Sequence, residues 1–78
     1  MSAYPHGRYA LRCWETTNRA LSVDASEYGD NVDELEARAW TLLRAGRFKS
    51  LVLCEWDTAD KVWRKIGQAT EDDLDRLA

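Results

Sequence analysis

A six-residue phrase occurs twice in this chain. Trp14-Glu15-Thr16-Thr17-Asn18-Arg19 and Trp56-Asp57-Thr58-Ala59-Asp60-Lys61 share the order Trp, acid, Thr, small, Asn or Asp, base. A second echo precedes each copy, Gly7-Arg8-Tyr9 and Gly46-Arg47-Phe48. In both places an alternating run leads into the Trp, and the polar residues after it have turn chemistry. The repeat predicts two related β-hairpins flanking whatever lies between them. It constrains architecture and says nothing about chemistry.

The first hairpin is read over residues 8–24. Tyr9, Leu11 and Cys13 alternate with Ala10, Arg12 and Trp14, which is strand periodicity. With Thr17-Asn18-Arg19 as a three-residue loop, Cys13 lies opposite Val23 and Arg12 opposite Asp24. That register sets Leu11, Cys13, Leu21 and Val23 on one face. Residues 25–31 are expected to be a connection. In the second hairpin, residues 47–56 form the strongest strand. Phe48, Val52, Cys54 and Trp56 line one side, and Leu51 and Leu53 the other. The same loop length places Cys54 opposite Ile66, Glu55 opposite Lys65 and Trp56 opposite Arg64, the last as a cation–π contact. Trp63 then shares a side with Lys61 and Lys65, and across the hairpin with Leu51, Leu53 and Glu55.

Between the hairpins, Val32, Leu35, Ala39, Leu42 and Leu43 recur with a 3.6-residue period and predict a helix over 32–45. Asp30 or Asn31 can cap it, Asn31 and Glu34 have capping-box spacing, and Gly46 is the expected stop. Glu34 and Arg38 can pair one turn apart. After Thr70, Leu74 and Leu77 with an acidic first turn mark a short helix or a tail. The expected fold is a two-layer α+β domain, ββαββ with a possible last α; the alternative is βαββα. The expected organisation is a mobile tail over 1–7, one domain over 8–69, and a short helix or tail over 70–78.

The charge is segregated. Residues 24–36 carry six acids and no base, whereas 37–70 carry seven bases against three acids. A net charge of −3 rules out a chain-wide basic field, although a local basic surface can form from the middle segment. No apolar run approaches the length needed to span a bilayer, and the N-terminal residues lack a secretory pattern. The expected location is the cytoplasm, with Cys13 and Cys54 as free, small, strand-interior residues.

Catalytic material is thin. His6 is the sole histidine, and no phosphate-binding loop, metalloprotease motif or calcium loop is present. The acidic clusters 30–36 and 71–75 sit where helices begin, which the helix dipole explains. No cofactor and no metal is expected, and the expected function is not enzymatic.

The tryptophans carry the functional expectation. One helix of about 21 Å covers only one side of a four-stranded sheet. The strand 47–56 is apolar on both sides, so a second cover is required: the C-terminal segment, a second copy, or a partner. The expected interaction face comprises Trp56, Trp63, Lys61, Arg64, Lys65 and Trp14. It would contact a protein partner or a weakly associating twin. The alternative is single-stranded nucleic acid, with Trp63 or Trp56 stacking on bases and Lys61, Arg64, Lys65, Arg47 and Lys49 meeting phosphates.

Overall fold

The structure is a computed structural model and describes residues 7–20 and 22–77. The tail residues 1–6, with His6, and Leu21 lie outside the described residues. In chain order the elements are β1 (Tyr9–Trp14), β2 (Ala25–Gly29), α1 (Val32–Ala45), β3 (Ser50–Asp57), β4 (Val62–Thr70) and α2 (Glu71–Leu77). The four strands form one antiparallel sheet in the order β2-β1-β3-β4. The α+β two-layer class holds, with ββαββα as its full order. No helix among the described residues is long and apolar enough to cross a membrane.

The helix α1 has the expected bounds, and its ends show why. The Asn31 side chain accepts hydrogen bonds from the backbone N–H of Asp33 and Glu34 at 3.0 and 3.3 Å, satisfying two donors that have no partner within the helix. Gly46 closes the helix in the left-handed region at φ 81°, donating to the carbonyl of Leu43. Leu35, Ala39 and Leu43 are buried, and Leu42 and Trp40 are half-buried beside them. Arg38 does not pair with Glu34. Its Nε donates to both carboxylate oxygens of Glu27 on β2 at 3.1 Å, tying helix to sheet.

The second strand lies later than the sequence periodicity suggests. Residues 20 and 22–24 are irregular, and the supposed connection supplies β2. Cys13 pairs with Ala25 and Arg12 with Ser26, so neither Val23 nor Asp24 takes its expected place. The loop therefore runs over 15–24. It is held by its own polar side chains: Asp24 Oδ2 accepts from the Glu15 N–H at 2.7 Å, and Asn18 Oδ1 from the Ala20 N–H at 3.1 Å. The physical reason for the shift lies in the contacts the later strand makes: Ala25, Glu27 and Gly29 face the helix, Glu27 takes the Arg38 guanidinium, and the Asp24 N–H donates to the Cys13 carbonyl at 3.0 Å. The repeated phrase thus marks the ends of β1 and β3, not two equivalent hairpins.

The second hairpin is displaced by one residue near its turn. Trp56 pairs with Trp63, Glu55 with Arg64 and Cys54 with Lys65. The loop has four residues, 58–61, because Asp57 caps it. Its Oδ1 accepts from the N–H groups of Ala59 and Asp60 at 2.9 and 3.1 Å, its carbonyl accepts from Lys61 at 2.7 Å, and Lys61 takes a positive φ of 56°. A β-bulge between Leu53 and Cys54 then restores the expected register, with Leu53 opposite Gly67 and Val52 opposite Gln68. Ile66 is the extra residue and stands out at 49% exposure.

These registers define two sides. Toward the helices lie Leu11, Cys13, Leu51 and Ala69, packed with Leu35, Ala39, Leu43 and Phe48. Phe48 thus joins Leu51 rather than Val52. Leu74 of α2 packs against this same core, so the C-terminal helix thickens the helical layer and does not cover the other side. On the open side Ala10, Trp14, Val52 and Cys54 form a second, thinner cluster, with Val23 and Trp63 against it.

Candidate interaction surfaces

The open side of the sheet carries a run of three aromatic rings. Trp56 and Trp63 are cross-strand neighbours with ring centroids 5.2 Å apart and planes at 65°. Trp63 reaches on to Tyr28, on the opposite edge strand β2, at 5.9 Å and 43°. The span is possible because the positions between them in the same row are small: Ala10 pairs with Tyr28 on one side and with Cys54 on the other. Both lie buried beneath. Tyr28 is 42% exposed, while Trp56 and Trp63 are half-buried. Tyr28 was not among the expected face residues, because residues 25–31 read as a connection. A tyrosine between Glu and Gly gave no periodicity to find it by.

Trp14 belongs to the same side but not to the accessible surface. It is 6% exposed, and the 15–24 loop folds over this half of the sheet, with Val23 in the cluster. From that loop Arg19 Nη1 reaches across to Gln68 Oε1 on β4 at 2.5 Å. The open side is thus divided. The half around Trp14 and Val52 is covered by the chain itself, and the half around Tyr28, Trp63 and Trp56 is not covered by any described helix.

The charged strand residues on the open side are Arg12 and Lys65, both cations and both close enough to act on the Cys54 thiol. The other expected cations are placed elsewhere. Arg64 points to the turn, bonded to Asp57 Oδ2 at 2.6 Å and to Asp60. Its hydrogen bonds hold the Asp57 carboxyl below the usual range. Lys61 closes the turn. Arg47 lies over the Phe48 ring and near Glu15, and Lys49 pairs with Glu71 at 3.1 Å.

A second surface lies on the helical side. α1 packs on β1, β2 and β3, and α2 on α1 and β4. Between α1 and β4 a groove of about 210 Å³ remains. Its floor is Leu51, Leu53, Gly67 and Ala69, and its helical wall is Ala39 and Trp40. The groove exists because β4 offers only a glycine and an alanine toward the helix there. β4 is also an edge strand, hydrogen-bonded to β3 alone.

The thiols are arranged for inertness. Cys13 faces the helices and Cys54 the open side, so the sheet itself separates them, and both are free and buried. Burial pushes the Cys13 thiol up to about 11, with Glu27 adding to the effect and Arg38 and Arg47 opposing it. Burial also raises Cys54, against the pull of Arg12 and Lys65. Neither is a thiolate at neutral pH. Among the described residues no cluster of His, Cys, Asp and Glu could hold a metal ion.

Comparison with protein-family models, with curated proteins and with solved structures finds no match to this chain.

Proposed function

We propose that this chain is a non-enzymatic interaction module that docks an acidic partner protein on the open half of its sheet, through Tyr28, Trp56 and Trp63 flanked by Arg12 and Lys65. The observation that carries this reading is the contiguous Tyr28–Trp63–Trp56 run on a side that no described helix covers. Aromatic residues concentrate at protein interfaces because they bury much area with little side-chain entropy. The two cations give the patch its sign, since no acidic strand residue shares the side. Two free, buried thiols suit a reducing compartment, and the cytoplasm is the proposed location.

Single-stranded nucleic acid is the second reading, favoured by the same cations. The ring geometry argues against it. Successive rings are tilted against one another by 43° and 65°, so they do not present parallel, evenly spaced faces for a run of stacked bases.

A photo-crosslinking residue at position 28, introduced in the native cells, tests the proposal. A discrete protein adduct is expected that is absent with the probe at exposed Arg44 and lost on adding Trp63→Ala or Lys65→Glu. Adducts indifferent to those substitutions would overturn the reading. Nuclease-sensitive adducts would replace it with the nucleic-acid one.

A further inference from the structure

The edge of β4 combines three things that no other described part of the molecule brings together. Its outer backbone groups face away from the sheet, because β4 pairs with β3 alone. The apolar groove opens beside it, floored by Gly67 and Ala69 of the same strand. On the other face of that strand, Arg19 Nη1 and Lys65 Nζ converge on one neutral oxygen, Gln68 Oε1, at 2.5 and 3.3 Å. Two cations sharing one neutral amide oxygen form a site where a carboxylate is the better acceptor, since it brings an opposite charge and a second oxygen, one for each cation.

We propose that this edge is a peptide-binding site. An extended segment of a partner pairs with the Gly67–Ala69 stretch of β4, short of Thr70, whose N–H is taken by Asp73; it places an acidic side chain against Arg19 and Lys65, and seats the adjacent large apolar side chain in the groove. Neighbouring residues of a strand point to opposite faces, so an acidic residue next to an apolar one satisfies both sides at once. Strand addition to a free sheet edge, with pockets for alternate side chains, is an established mode of peptide capture.

The groove's size matches one side chain: about 210 Å³ lies below the range of roughly 300–1,000 Å³ that small-molecule sites occupy. The bulge selects the occupant. It breaks the edge at Ile66, which works against unlimited sheet-to-sheet pairing with a second copy and leaves a short stretch suited to a peptide. The charged residues of β4 are Arg64 and Lys65, both cations, so a second copy's β4 would also bring like charge. The site shares Lys65 with the Tyr28–Trp63 patch but none of its aromatic rings, and it does not rest on that reading.

Selection of a displayed library of short random peptides on the intact protein tests the inference. Peptides with adjacent acidic and large apolar residues should be enriched. Their binding should slow hydrogen exchange of β4 amides within 67–69 and weaken as salt is raised. Gly67→Leu fills the groove floor. A Cβ there meets only Leu53 Cβ at 3.9 Å, an ordinary contact, and the rest of the side chain is directed at the groove. It should weaken binding by about tenfold or more while leaving the melting temperature unchanged. Gln68→Glu, an exposed substitution that supplies the two cations with an internal carboxylate, should weaken binding similarly and keeps the test independent of how Gly67→Leu folds. Tyr28→Ala with Trp63→Ala should leave the selected peptides bound, which separates this site from the open-side patch. No enrichment of the acidic–apolar pair would overturn the proposal, as would selected peptides that bind both β4 variants as well as the parent.

Discussion

Trp56 and Trp63 face each other across the β3–β4 hairpin, ring edge to ring face, at 5.2 Å. The contact depends on a four-residue loop capped by Asp57. With a three-residue loop Trp56 would meet Arg64, and Trp63 would turn to the helical side. A double-mutant cycle of Trp56→Ala and Trp63→Ala, followed by denaturant unfolding, should give a coupling of about 0.5–1.5 kcal/mol. Additive losses would mean that the rings do not touch.

The helix stripe ranks two adjacent leucines. Leu43 is 2% exposed in the core, while Leu42 is half-buried at its margin. Leu43→Ala should cost about 2–5 kcal/mol, as buried leucines do, which is a large share of the stability of so small a domain. Leu42→Ala should cost about 1–2 kcal/mol, in keeping with partial burial. Equal losses in thermal or denaturant melts would contradict the stripe's orientation.

Alkaline pH should weaken the fold through Cys13. Its native thiol is held up to about 11 by burial, above the ordinary value of 9.0. Below pH 9 both states keep the proton, and stability is indifferent to it. Between the two values the unfolded chain releases the proton while the native chain holds it, so stability falls as pH rises, by about 1.4 kcal/mol per unit. Cys13→Ala should flatten this part of the pH profile. Both thiols should also react slowly with a thiol reagent when folded and rapidly in denaturant.

Truncation after Thr70 should lower stability without opening the aromatic patch. Leu74 packs against the helical-side core, and the Asp73 carboxylate accepts from the Thr70 N–H at 2.8 Å. A loss of about 1–2 kcal/mol is expected from that partial burial and cap. Acrylamide quenching of the tryptophans in the still-folded truncation should match the parent. A marked rise would place α2 over the open side instead.

Some of this protein was legible residue by residue. The bounds of α1 followed from Asn31, Gly46 and a period of hydrophobic residues, because helix signals are local in the chain. Strands β1 and β3 followed from alternation and from the two-sided apolar run at Leu51–Cys54. The second apolar side of the sheet followed from counting apolar faces against a single long helix.

Pairing was a different matter. Which residues of 20–29 form β2 depended on the Arg38–Glu27 tie to the helix and on loop bonds from Asp24 and Asn18, none of which is local periodicity. The slip that joins Trp56 to Trp63 came from the Asp57 cap and was undone three pairs later by a bulge at Ile66. Composition and periodicity determined that an amphipathic helix and a two-sided sheet must meet. Tertiary structure alone decided that Tyr28 joins the tryptophans, that Arg64 is consumed by the turn, and that α1 leaves a groove beside β4. Those outcomes rest on strand register and on which layer each helix joins. A one-residue shift in register exchanges the two faces of a strand, so they are set by contacts between distant residues rather than by any stretch of sequence.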